Sequence, residues 1–297
     1  MIVFKDVTPQ DKEIFDSFYK YKCLQNSESS FANLCAYAFL YYGQYAIVEN
    51  CLVTRIHFER NKSLCYHYPI GPNGMDKAIE RIIEDAQEQA YNLHFICEHS
   101  ELPSRFAQRF RSEAKRDFFD YLYLREDLQT LKGKKLQAKR NHINKFNKLY
   151  SWQYEQLDRD SCFECMEVEE KWCKSSIERH PEAEKEYLNE KRVIEFLLNN
   201  FEQLGIFGGA IKIEGRIVAF SLGSKINDNT FDTHIEKADR DIEGAFAIIN
   251  QQIALHLPEN YIYINREEDL GMEGLRQAKL SYHPFRMIEK HIHTLIP

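Results

Sequence analysis

The stretch Thr230–Ala238, TFDTHIEKA, carries Asp232, His234 and Glu236 at alternate positions. In an extended strand successive side chains point to opposite faces, so these three share one face and Phe231, Thr233 and Ile235 the other. A carboxylate or an imidazole placed there has the chemistry to take a proton from an attacking amine or hydroxyl. The other reading is a partly wet sheet face whose charges meet Lys or Arg opposite. The strand runs on through Lys237 to Gly244, which opens the helical pattern EGAFAIINQQIALH. Amides at that helix start could receive a phosphate or carboxylate. Glu243 just before them opposes an anion, and taken alone the junction reads as an ordinary helix start.

A second concentration lies at the end of the strand pattern YIYIN, where Arg266, Glu267, Glu268 and Asp269 follow one another before Gly271 and Gly274. Charged residues at the carboxyl end of a sheet strand, beside a turn, are where α/β proteins place ligand sites. Arg266 suits a carboxylate or phosphate held bidentately; Glu267, Glu268 or Asp269 suits an amine or a proton. Lys279, Tyr282 and His283 add donors shortly afterwards. The alternative is a charged loop closed by its own ion pairs.

The third feature is basic. LKGKKLQAKRNHINKFNKLY holds Lys132, Lys134, Lys135, Lys139, Arg140, Lys145 and Lys148 with no acid among them. Leu136, Ile143, Phe146 and Leu149 give it the apolar stripe of a helix. The cations form either a local phosphate-binding surface, for tRNA, a nucleotide cofactor or a lipid headgroup, or a solvated face neutralised by the acidic helices that follow. Lys139-Arg140-Asn141 is its sharpest part, because Arg and Asn offer directed donors.

These residues need a framework to position them, and the chain has the means. Its 297 residues are 43% hydrophobic, enough for two domains with sizeable cores. With 46 acidic against 39 basic residues the net charge is -7, so the molecule as a whole is not built to coat DNA and any polyanion site is local. The first residues reach charge at once, as a signal peptide would not. Ser29 to Val48, the longest uncharged stretch, is too polar for a membrane span and reads as a buried helix followed by a strand. Cysteines set in apolar patterns, such as Cys35, Cys51 and Cys97, suit reduced thiols and a cytoplasmic location. Cys162 and Cys165 form a CxxC without a second pair at zinc spacing, so no metal is expected. Phosphate-loop, HExxH, GxSxG and dinucleotide fingerprints are missing, which leaves nucleotide-triphosphate, zinc-peptidase and hydride chemistry without support.

Two rounds of the same order organise the chain. YAIVEN, CLVTRIHF and LCYHYPIG read as strands, with a turn at Asn61-Lys62, and are followed by the helix MDKAIERIIEDAQEQA and the strand LHFICE. In the second round the hairpin IFGGAIKIEGRIVAFSLGSKI, the strand TFDTHIEKA, the Gly244 helix and YIYINRE repeat the pattern. The fold expected is α/β with mixed sheets in two lobes, residues 1–130 and 131–297. Pro284 should start the last strand, FRMIEKHIHTLI, with His291 and His293 at the surface.

The blocks LKGKKLQAKRNHINKF, THIEKADRDIEGA and YINREEDLGMEGLRQAKLSYHP resemble the uncharacterised bacterial relatives of the phosphatidylglycerol lysyltransferase C-terminal domain. That family is similar to the tandem GNAT-like (Fem-type) transferases, with the active cleft assigned to the C-terminal lobe. The resemblance implies transfer of an acyl or aminoacyl group from an activated carrier, a coenzyme A thioester or an aminoacyl-tRNA, to an amine or hydroxyl on a small molecule or lipid headgroup. Glu236 or His234 would accept the proton. Arg266, Lys139 and Arg140 would hold carrier phosphates or an acceptor carboxylate, and Glu267, Glu268 and Asp269 would shape the acceptor end. Asn141, Lys237, Gly244 and Lys279 complete the expected binding residues. The pyrophosphate loop of acetyl-coenzyme A enzymes is met only loosely, since Arg240 comes one residue too early for Gly244. A non-catalytic module that kept the cleft, or a small-molecule N-acetyltransferase, remains the alternative.

Overall fold

A computed structural model describes residues 1–21, 24–57, 63–98 and 102–296. The turn expected at Asn61-Lys62 lies outside them. Among the described residues fourteen strands run in chain order: β1 (Lys5–Asp6), β2 (Gln44–Val48), β3 (Cys51–His57), β4 (Ser63–His67), β5 (Asn92–Cys97), β6 (Phe110–Ala114), β7 (Asp120–Leu124), β8 (Trp152–Gln156), β9 (Phe207–Ile213), β10 (Arg216–Asn227), β11 (Thr230–Ala238), β12 (Tyr263–Asn265), β13 (Arg286–Ile288) and β14 (His291–Leu295). They form two seven-stranded sheets, β1-β2-β3-β4-β5-β14-β6 and β8-β9-β10-β11-β12-β7-β13.

The two sheets repeat one plan. Each begins with antiparallel strands, contains one parallel pair (β4 with β5, β11 with β12), and continues antiparallel. A parallel pair needs a crossover. The helices Met75–Gln89 and Ala245–His256 supply it in the respective rounds. In the first sheet the crossover helix turns Ala78, Ile79, Ile82, Ile83 and Ala86 onto Val53, Tyr66, Leu93 and Phe95, all buried. That burial follows from the helical spacing of its apolar positions. In the second, helix Ala245–His256 lies on β9, β10 and β11. Its carboxyl end is capped by buried Arg125, which donates to the carbonyls of Ala254 at 2.8 Å and Pro258 at 2.6 Å, and to that of Leu257. A cation there satisfies carbonyls that the helix itself cannot.

The chain does not divide at residue 130. One compact unit comprises Met1–Asp120, Glu268–Met272 and Met287–Pro297; the other comprises Tyr121–Glu267 and Glu273–Arg286. Each sheet takes a strand from beyond its own round: β14 sits between β5 and β6, and β7 sits between β12 and β13. A strand's neighbours are chosen by tertiary pairing, which local patterning does not record. The expected last strand is two strands, β13 and β14. His293, expected at the surface, is fully buried in β14, with Nδ1 2.6 Å from Ser112 Oγ and Nε2 3.5 Å from Cys97 Sγ. The seven cysteines among the described residues are free and buried. Among the same residues no helix is long and apolar enough to cross a membrane.

Candidate functional site

In the second unit β11 pairs with β10 in a register that slips: Leu222 opposes Ile235, but the next residue, Gly223, opposes Thr233. His234 is therefore the extra residue of a bulge, a device that re-aims a side chain. Gly223 permits it, since a Cβ there would stand 2.1 Å from the Asp232 carbonyl oxygen and 2.4 Å from the Phe231 ring. The His234 side chain is 2% exposed, with Nε2 2.8 Å from Ser224 Oγ and Nδ1 3.1 Å from Glu267 Oε1. Asp232, fully buried, places Oδ2 3.5 Å from the same Nδ1. Glu267 reaches them from a left-handed backbone (φ 56°), where its N–H donates to Asn265 Oδ1 at 2.7 Å.

Two residues along β11, Glu236 meets Arg266. Arg266 Nη2 donates to Glu236 Oε1 at 2.8 Å, and Asn250 Nδ2, from helix Ala245–His256, donates to Oε2 at 3.0 Å. The guanidinium lies 4.9 Å from the centre of the Tyr282 ring and 5.5 Å from that of Tyr123. Burial opposes its charge, but Glu236 and the two phenols outweigh that and hold its pKa above the usual value. Lys139 Nζ lies 4.0 Å from the Tyr282 ring centre. Burial, then the neighbouring Arg266, push Lys139 down to about 8 against the opposing pull of Glu236. Two groups in this cluster have no hydrogen-bond partner within the described residues: buried Arg266 Nη1, a donor, and Asn250 Oδ1, an acceptor. Most buried polar groups are paired, so these two stand out within the cluster.

The structure thus brings together Glu236, Arg266 and Lys139, and beside them on the same strand His234 with Glu267. Lys279 supports rather than faces the cluster: its Nζ donates to the Arg266 carbonyl at 2.5 Å, and its own carbonyl accepts from Tyr123 at 2.7 Å. Other expected binding residues are engaged differently. Arg140 turns back to the segment before its own helix, donating to the carbonyls of Leu131 and Gly133. Asn141 is exposed on helix Gln137–Leu149. Lys237 points to the other face of β11 from Glu236, where it bonds Glu190 at 2.7 Å and lies 3.1 Å from the Trp172 ring centre. At Gly244 φ is +88°, and a Cβ would meet the His142 carbonyl oxygen at 2.8 Å, so the close approach of the neighbouring helix requires glycine there. Glu243 beside it pairs with Lys145 at 2.5 Å.

Glu268 and Asp269 belong to the first unit. There Lys290, 1% exposed, bonds Asp120 at 2.5 Å, Glu268 at 3.3 Å, and Glu28. Asp269 pairs with Arg116 at 3.2 Å. Burial, with Asp120 and Glu268 adding to it and Lys290 opposing, raises Glu28 to about 7. Sequence reasoning missed Asn250, Ser224 and this lysine-centred group. Lys290, set in the strand pattern FRMIEKHIHTLI, was the available sign for the last of these.

The protein is similar over its whole length to a conserved protein of unknown function from Bacteroides thetaiotaomicron, at 41% identity, with both chains fully covered and a TM-score of 0.91. It shares its fold with the C-terminal domain of a putative lysylphosphatidylglycerol synthetase from Agrobacterium fabrum (13% identity, 97% and 92% of the two chains, TM-score 0.66). It also shares its fold with FemX (10% identity, 98% and 97% of the two chains, TM-score 0.51). Among curated sequences it matches an uncharacterized protein of Mycoplasmoides gallisepticum at 26% identity over 186 residues, 60% of this chain, and spans 56% of that relative's length. The family model for the C-terminal domain of phosphatidylglycerol lysyltransferase matches residues 22–292, and the chain belongs to that family.

Proposed function

We propose that the second unit carries an acyl-transfer centre built on Arg266, Lys139, Glu236 and Asn250, moving an aminoacyl or acyl group from an activated carrier directly to an amine or hydroxyl. The observation that carries the reading is the pair of buried, unpartnered groups beside the Glu236–Arg266 ion pair, Arg266 Nη1 and Asn250 Oδ1. Attack on an activated carbonyl puts negative charge on its oxygen. Pre-positioned cationic donors stabilise that charge best where water is scarce. Arg266 Nη1 and Lys139 Nζ are such donors. With a pKa of about 8, Lys139 is mostly charged at neutral pH and can also give a proton to the leaving oxygen or sulfur. Glu236, held by Arg266 and Asn250, takes the proton of the attacking group. His234 is less suited to that role, because Ser224 and Glu267 engage both its ring nitrogens.

The pyrophosphate loop of acetyl-coenzyme A enzymes is met only loosely, with Arg240 one residue too early for Gly244, and this favours an aminoacyl ester over a coenzyme A thioester. Exposed Lys132, Lys134, Lys135 and Lys148 offer tRNA phosphates a landing surface. The test incubates the protein with radiolabelled lysyl-tRNA or acetyl-coenzyme A and with phosphatidylglycerol vesicles or soluble amines as acceptors. The proposal expects acceptor-dependent label transfer, lost in Arg266→Gln. Binding of a carrier without turnover on any acceptor would overturn it in favour of a binding module.

A further inference from the structure

The Asp232–His234–Glu267 group lies beside the transfer centre, and that proposal leaves it without a chemical role. We infer that it is a binding site for a divalent transition cation, zinc or manganese in kind. One nitrogen and two carboxylate oxygens, with all three ligand atoms within 4.8 Å of one another, converge from β11 and the Arg266–Glu267 corner. Imidazole and carboxylate bind such cations at about 2.0–2.2 Å, which sets neighbouring ligand atoms roughly 2.9–3.5 Å apart. The Nδ1 separations of 3.1 Å from Glu267 and 3.5 Å from Asp232 fall in that range.

The imidazole chemistry agrees. A ring nitrogen facing two carboxylates can offer one proton to one of them, whereas a cation engages both and the nitrogen lone pair together. With Nδ1 on the cation, Nε2 carries the hydrogen and donates to Ser224 Oγ, 2.8 Å away. An outer hydrogen bond of that kind orients a metal-bound histidine and fixes its tautomer. Bound there, the cation ties the β11 bulge to the segment that presents Arg266. Its task is to position the neighbouring ion pair, and it is independent of whether the carrier is aminoacyl-tRNA or coenzyme A.

The experiment titrates the metal-stripped protein with Mn2+, read by electron paramagnetic resonance, and with Zn2+, read by thermal denaturation. One Mn2+ bound per chain is expected, with Zn2+ raising the melting temperature. Asp232→Asn or His234→Ala should weaken Mn2+ binding at least 100-fold, and Ser224→Ala about 10- to 100-fold. Wild-type protein that binds no Mn2+ or Zn2+ at millimolar concentration would overturn the inference, as would binding unchanged by Asp232→Asn. The wild-type titration decides even if a variant fails to fold. A wild-type protein that transfers label yet binds neither cation would sink this inference and leave the transfer proposal standing.

Discussion

Removing the Glu236 carboxylate should destabilise the second unit far more than removing a surface charge would. The partners are 13% and 12% exposed, so Glu236→Ala leaves Arg266 charged, shielded from water and facing Lys139. Breaking a buried pair from one side costs about 3–5 kcal/mol, whereas replacing both members with apolar groups is often close to neutral. At about 2–4 °C per kcal/mol for a domain of this size, Glu236→Ala should lower the melting temperature by roughly 6–20 °C. Adding Arg266→Met should recover much of that loss. The assay is a double-mutant cycle by differential scanning calorimetry, run at low salt and at high salt. A buried pair is poorly screened, so the coupling should survive the salt. A coupling within about 0.5 kcal/mol of zero, or one that vanishes with salt, would refute the idea that this pair is shielded and mutually dependent.

Other tests follow from the same geometry. Because the fold lowers the Lys139 pKa from 10.5 to about 8, charged Lys139 is a penalty present in full below pH 8 and relieved as pH rises toward 10.5. Lys139→Met should therefore raise the urea midpoint at pH 6.5 more than at pH 9.5, and in the wild type label transfer should fall as pH passes 8; equal midpoint shifts at the two pH values would contradict this. Glu169, raised to about 7 mainly by burial although Lys237 opposes, binds a proton more readily in the folded state. Its contribution is lost as pH climbs from about 4.5 to 7, so Glu169→Gln should flatten the pH dependence of stability across that window, as chemical denaturation would show. Gly223→Ala should cost at least about 1–3 kcal/mol, because its methyl group collides with the Asp232 carbonyl and the Phe231 ring. An unchanged midpoint would mean that the bulge is not built as described.

Periodicity made much of the fold legible. The hairpin-strand-helix-strand order is written in residues 44–97 and 207–265 as alternation and helical spacing, and both sheets follow it. The pairing of Glu236 with Arg266 could be anticipated as two charged positions at the ends of neighbouring strands. Less local facts escaped. A bulge is a relation between two strands, so TFDTHIEKA alone gives no hint that His234 is the extra residue. Arg140 and Lys237 look like free cations until the Leu131 carbonyl and the Trp172 ring, on other segments, take them up. Gly244 does not announce in sequence that the helix carrying His142 and Phe146 approaches too closely for a Cβ.

The exchange of β7 and β14 has a consequence for biosynthesis. On the ribosome the first sheet is nearly assembled once β6 emerges, yet the strand that belongs between β5 and β6 is not made until residues 291–295. At about 5–20 residues per second, that delay is roughly nine to thirty-six seconds. Throughout it the facing edges of β5 and β6 have backbone groups ready to recruit any passing strand. The nascent chain must carry this open seam until its second sheet has been synthesised, and a chain cut short before β14 would keep the seam permanently.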